Sequence, residues 1–329
     1  MTSGRLSLTI ACTASDRTRP VIDGRIAIDG LDASFTTGEP EELFRIALRE
    51  RKFDVTELSM GSHMVTTARG DSHYIAVPVF PSRAFRHSAI YVREGAGIER
   101  PEDLAGRRIG LPEYQQTAAL WVRGILADQH GVSPENVEWV VGSQEEAGGT
   151  ERTAIELPER IRMRRIGPDE SLSGLMASGG IDAMITPRAP SGFLKGDGSV
   201  RRLFPDFKTA EAAYYQKTGF FPIMHCIALR RSLAAEHPWL PRAVFEAFNA
   251  AKASAIEDLQ KINFLRVALP WIATHHDETR QLLGDDYWAY GFERNRKEVE
   301  AMLGYAQSDG LLTGPISARD LFHESVLDT

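Results

Sequence analysis

Cysteine is almost missing from this chain of 329 residues: Cys12 and Cys226 are the only two, far apart and in no CxxC pair. Two thiols cannot build a disulfide framework or a four-thiolate zinc site, so a reducing compartment is the simpler expectation. Long apolar runs are missing too. No stretch approaches the ~20 residues that a membrane-crossing helix needs. A basic excess is absent: 38 Lys+Arg against 45 Asp+Glu give a net charge of −7, a poor balance for non-specific nucleic-acid binding. There is no GxGxxG and no GxxxxGK[ST], so nucleotide binding has no support, and no HExxH or HxH to chelate a metal. The adjacent histidines of His275-His276-Asp277 would point about 100° apart on a helix, and His63 stands alone, so no metal site is expected. The N-terminal apolar stretch Leu6–Cys12 is too short for an export signal and is broken by Ser7 and Thr9. These features together read as a cytoplasmic protein with neither a nucleic-acid nor a membrane partner.

What is present is an ordinary core-forming composition, 43% hydrophobic and 25% charged. At ~150 residues per domain, the length suggests two lobes. Alternation in Leu6, Leu8 and Ile10 predicts a first strand. Further strands are expected at 31–35, 53–59, 74–79, 87–92, 137–141, 183–185 and 222–229. Helices are expected after Pro40, over 117–130 and through much of 241–310, while 142–168 reads as a long polar loop. Strands alternating with helices imply an α/β fold with mostly parallel sheets, whose ligands gather at the carboxyl ends of strands. The order of elements predicts one lobe from 1–110 plus 216–329 and a second from 111–215. Two crossings between them would make a hinged cleft, with a helical C-terminal segment.

Four segments carry a resemblance: Asp54-Val-Thr-Glu-Leu-Ser59, Val77-Pro-Val-Phe-Pro-Ser-Arg-Ala-Phe-Arg-His87, Pro101-Glu-Asp-Leu-Ala-Gly106, and Glu113-Tyr-Gln-Gln-Thr117 with Trp121-Val-Arg-Gly-Ile-Leu126. Together the chain resembles the 4,5-dihydroxyphthalate decarboxylase family. The resemblance implies a type II periplasmic-binding-protein-like fold and removal of one carboxylate from a dihydroxylated phthalate to give protocatechuate, without an organic cofactor. A hydroxylated ring can serve as its own electron sink. Protonation at the carbon bearing the carboxylate gives a dienone-like intermediate, and CO2 loss restores aromaticity. Such a site needs a proton donor, cations for the spectator carboxylate and an acceptor near the phenol.

Arg17, Arg83, Arg86 and His87 lie in two strand-end loops, and arginine's planar fork suits a carboxylate. His87 is a candidate proton donor because histidine titrates near neutrality; His225, among apolar residues, is the other. Glu57 could accept the phenol proton or orient a histidine. Gln116 and Thr117 precede a strong helix, where Thr117 as N-cap would leave free amides for an anion. Arg123 lies off that helix's apolar face, where solvent exposure is expected unless it serves a cleft, and Arg188 follows a strand end. The expected partner is a small aromatic carboxylate. A non-catalytic solute-binding protein is the alternative, and the sequence leaves a homo-oligomer open.

Overall fold

The computed structural model describes residues 4–149 and 153–329. In chain order the strands are β1 (Leu6–Ala11), β2 (Leu31–Thr36), β3 (Val55–Ser59), β4 (Tyr74–Arg83), β5 (Ile90–Arg93), β6 (Arg108–Leu111), β7 (Glu138–Val141), β8 (Arg162–Arg165), β9 (Ala183–Ile185), β10 (Val200–Arg202) and β11 (Ile223–Arg230). The helices are α1 (Arg19–Ile22), α2 (Pro40–Arg45), α3 (Met60–Ala68), α4 (Thr117–His130), α5 (Leu172–Ser178), α6 (Ser191–Leu194), α7 (Phe207–Thr218), α8 (Arg231–Glu236), α9 (Leu240–Gln260), α10 (Ile272–Leu283) and α11 (Phe292–Ser308). Among the described residues, no helix is long and apolar enough to cross a membrane.

The chain divides into two compact units, one of residues 1–83, 219–300 and 316–329, the other of 84–218 and 301–315. Sequence placed the first crossing near residue 110. In the structure β5 pairs with β9 and β10, so the segment before 110 already belongs to the second sheet. A short strand carries no mark of which sheet it will join, which is why that boundary was not readable.

In the first unit the strand order is β2-β1-β3-β11-β4. β1 runs parallel to β2 and β3, and β11 runs antiparallel between β3 and β4. The carboxyl ends of β1, β3 and β4 therefore meet the start of β11 along one edge of the sheet. β3 is buried at every position, the pattern of a strand covered on both faces. The register of β11 on β4 slips between His225↔Ser82 and Ile227↔Val77. Such an irregularity bends a strand and re-aims its side chains, here beside Pro81 and Ser82.

In the second unit the order is β10-β5-β9-β6-β7-β8. β8 falls inside the stretch expected to be loop; residues 150–152 of that stretch lie outside the described residues. Its sequence, Arg-Met-Arg-Arg, has no apolar alternation to announce it, and charged side chains on an edge strand discourage pairing with other chains. Tyr91, Val140, Leu172, Met176, Ile181, Met184 and Val200 form part of this unit's core.

Candidate active site

A cavity of about 80 Å³ opens at the carboxyl edge of the first unit's sheet, lined by Thr13, Ser15, Arg17, Pro40, Glu57, Pro81, Ser82 and His225. Three sequence candidates (Arg17, Glu57 and His225) come together here from segments far apart in the chain.

Glu57 and His225 form the centre. His225 Nδ1 lies 2.6 Å from Glu57 Oε1, and the other carboxylate oxygen accepts the Thr13 amide at 2.7 Å. Burial works to raise the Glu57 pKa, but the hydrogen bond and charge of His225, with the bonds from Thr13, more than offset it and hold the carboxyl below its ordinary range. An ionised Glu57 only accepts, so the Nδ1 proton belongs to the histidine and Nε2 is left for the cavity. The Phe44 ring meets the imidazole edge-on at 4.8 Å and fixes its plane further. The flanking thiols of Cys12 and Cys226 are buried, and burial together with the Glu57 charge keeps both protonated.

Arg17 sits in the loop after β1. Its Nε and Nη2 donate to the Pro81 carbonyl at 3.1 and 3.0 Å, Nη1 to Asp16 at 2.5 Å, and its guanidinium lies 4.0 Å from the centre of the Trp288 ring. That ring is itself tethered, its Nε1 donating to the Phe80 carbonyl at 2.9 Å. The loop is tied by Thr18, whose hydroxyl donates to the Thr13 carbonyl at 2.6 Å and accepts the Ser15 amide at 2.8 Å. Thr13, Ser15, Ser82 and Trp288 carried no sequence signal. Hydroxyl residues in loops are common, and only the strand-end position of Thr13 and Ser15 after β1 could have drawn attention.

The other candidates have different surroundings. Arg83 is buried: Nη1 donates to the Phe221 carbonyl at 2.7 Å and to Glu298, and Nη2 to the Ala289 carbonyl at 2.8 Å and to Asn295. These four partners all lie within the first unit. Arg86 and His87 belong to the second unit. Burial pushes the Arg86 pKa down to about 10 against the opposing charge of Glu211. His87 packs between the Phe204 and Tyr214 rings, at 5.2 and 5.3 Å, and burial with nearby His130 pushes its pKa down to about 4. A ring so held is neutral at pH 7 and carries a single N–H.

Gln116, not Thr117, is the N-cap of α4, and its side chain makes no capping bond; Thr117 is the first helical residue and is buried. Arg123, expected at the surface, is wholly buried, its Nε 2.6 Å from Asp309 and its guanidinium 3.9 Å from the Tyr114 ring centre. The partner that makes this burial tolerable is 186 residues away in sequence, which is why the helix face misled. Arg188 is exposed, its amide donating to Thr186 Oγ1 at 3.3 Å. On α10, His275 is exposed and His276 buried against Tyr287, so the two rings diverge as the helix requires. His63 is buried with its Nε2 donating to the Leu321 carbonyl at 2.8 Å.

Two sheets with this strand order define an α/β protein of the type II periplasmic-binding-protein-like fold. Solved structures agree on the fold. The alkanesulfonate-binding protein SsuA from Xanthomonas axonopodis pv. citri bound to MOPS matches with a TM-score of 0.51 and 15% identity over 97% of this chain and 96% of that one. A mutant of DSZB in complex with biphenyl-2-sulfinic acid matches with a TM-score of 0.52 and 15% identity over 98% of both. The sequence model of a family described as "ABC transporter, phosphonate, periplasmic substrate-binding protein" matches residues 30–157. In sequence the chain is 43% identical to a 4,5-dihydroxyphthalate decarboxylase of Comamonas testosteroni, over 99% of this chain and 98% of that protein. It is 46% identical to one from Pseudomonas putida over 66% of this chain and 84% of that protein. The chain belongs to the 4,5-dihydroxyphthalate decarboxylase family.

Proposed function

We propose that this protein is a carboxy-lyase that converts 4,5-dihydroxyphthalate to protocatechuate and CO2, with His225 as general acid. The observation that carries the assignment of the site is the 2.6 Å contact between His225 and Glu57 at the wall of a strand-edge cavity. Full-length similarity to decarboxylases of this substrate supports the reaction.

The ring must gain a proton where it loses a carboxylate. His225 Nε2–H delivers that proton to the ring carbon bearing the departing group, with electron density pushed in from the phenolic oxygen. The C–C bond then breaks, its electron pair returns to the ring, CO2 leaves, and the imidazole recovers its proton from solvent. Glu57 keeps an acceptor on Nδ1–H throughout, so the ring neither rotates nor loses its orientation. Arg17 supplies the cation for the spectator carboxylate, which keeps its charge during the reaction and can be held without slowing it. The hydroxyls of Thr13, Ser15 and Ser82 are suited to the phenol side. His87 and Arg83, attractive in sequence, are left with structural roles in this proposal.

The test is to incubate the purified protein with 4,5-dihydroxyphthalate and follow CO2 release and ring absorbance. Turnover that His225→Gln abolishes supports the assignment. Binding of the phthalate without CO2 release would instead identify a solute-binding protein. The two buried free thiols fit a reducing interior, and we assign the protein to the cytoplasm, to be checked by cell fractionation.

A further inference from the structure

Arg17 reaches the cavity from a loop, where a long side chain keeps its rotamer freedom until something orders it. Here the guanidinium is held on three sides. Nε and Nη2 donate to the Pro81 carbonyl, Nη1 donates to Asp16, and one face lies 4.0 Å from the centre of the Trp288 ring. Those bonds use three of the group's five N–H donors and leave one on each terminal nitrogen. Two N–H groups on one planar fork match the two oxygens of a carboxylate. The ring that sets the plane of the fork is itself fixed. Its Nε1 donates to the Phe80 carbonyl at 2.9 Å, and the Phe221 ring meets it edge-on at 5.3 Å. The connection between α10 and α11 that carries Trp288 is fastened at both ends. Asp286 accepts from Lys252 Nζ at 2.8 Å and pairs with Arg294 at 3.2 Å, and the Gly291 amide donates to the Pro78 carbonyl at 2.9 Å.

We infer that Trp288 is a positioning residue for the proposed reaction, presetting the plane in which Arg17 receives the spectator carboxylate. The inference rests on the reading of Arg17 as that clamp. Stacking is the form of support that such a clamp needs. A carboxylate in the ring's place would hold the arginine as firmly but would take up donors and cancel charge. An indole acts on the face of the cation and leaves the in-plane N–H groups and the charge for the ligand. Asp16 is the competitor: its side chain is 47% exposed, and a guanidinium released from the ring would follow it towards solvent. An arginine ordered before binding also loses less freedom when the substrate arrives. Trp288 is not among the residues lining the cavity, so its effect on the substrate passes through Arg17.

Calorimetric titration with phthalate, which lacks the two hydroxyls, and steady-state turnover of 4,5-dihydroxyphthalate test the role in the full chain. A cation–π contact corresponds to roughly 2- to 30-fold in affinity. Trp288→Leu should raise the Kd of phthalate and the KM by a factor in that range with kcat unchanged, as for binding common to ground and transition states. Trp288→Phe keeps a ring face for the guanidinium and should recover part of the loss; it carries the test if the leucine variant does not fold. In an Arg17→Ala background neither substitution should weaken binding further. The role is overturned if both variants keep the wild-type Kd, or if kcat falls while Kd holds. It is overturned too if the loss is as large without Arg17, which would set the ring against the substrate itself. Failure of the underlying reading looks different: Arg17→Ala alone would then leave the affinity for phthalate unchanged, and no clamp would remain to be positioned.

Discussion

In the proposed mechanism His225 and Glu57 divide one task between two side chains, and the division predicts how each fails. Removing the acid takes away a proton transfer worth typically ~10²–10⁴-fold. His225→Ala and His225→Gln should therefore lower kcat by that order while the dissociation constant of a non-reactive phthalate analogue changes little. Glu57→Gln keeps a hydrogen-bond acceptor but loses the charge, so it should fall between the wild type and His225→Gln; equal kcat in all three would remove the pair from the mechanism. Arg17 should behave in the opposite way. A charge-assisted pair contributes about 1.5–3 kcal/mol, or roughly one to two decades of affinity. Arg17→Ala should raise the analogue's dissociation constant accordingly, with Arg17→Lys recovering part of it, and calorimetric titration reads both. At this scale three residues that the structure brings to one cavity, Arg17, Glu57 and His225, are chemically conspicuous in sequence at strand ends. Arg83 and Arg123 were conspicuous in the same way, yet both are buried against partners 215 and 186 residues distant. Residue type alone cannot separate a cation that lines a cavity from one buried against a distant partner.

At the scale of elements, the end of β4 is fastened to α11 through Arg83, Glu298 and Asn295. Glu298 is buried, and burial holds its carboxyl above the ordinary range despite the Arg83 charge; it also accepts the Ile223 amide at 2.7 Å. Removing one partner of such a pair leaves the other buried and alone, which costs about 3–5 kcal/mol. Arg83→Ala should lower the unfolding free energy by that much in a denaturant titration. A variant of unchanged stability but weakened substrate binding would restore Arg83 to the site. Periodicity gave β1, through Leu6, Leu8 and Ile10, and α4, because each is long enough to show its repeat. The insertion of β11 between β3 and β4 left no such trace, since the run at 222–229 looks the same whichever strands it joins.

For the whole molecule, two buried histidines predict an acid limit. Burial lowers His63, with a small contribution from Arg231, and His87 from 6.5 to about 4 each. Between those values the unfolded chain binds more protons than the folded one, so stability is complete above about pH 6.5 and declines as pH falls towards 4. For His63, wholly buried, the shift corresponds to on the order of 3 kcal/mol. Denaturation midpoints at pH 7.5, 6 and 5 should fall in that order. His63→Gln, which keeps an N–H for the Leu321 carbonyl, should flatten the slope; an unaltered slope would place the acid sensitivity elsewhere.

The central position of β11 also orders events during synthesis. β1 to β4 leave the ribosome first, then the whole stretch from 84 to 218, and only afterwards the strand that joins β3 to β4 and carries His225. Until then β3 and β4 each have an unpaired edge, the kind of surface on which nascent chains stick to one another. The proposed acid–base pair spans 168 residues, so catalysis would be among the last properties the chain acquires. A chain stopped at Thr218 should accumulate as insoluble material, and in a timed translation reaction turnover should lag the appearance of residue 230.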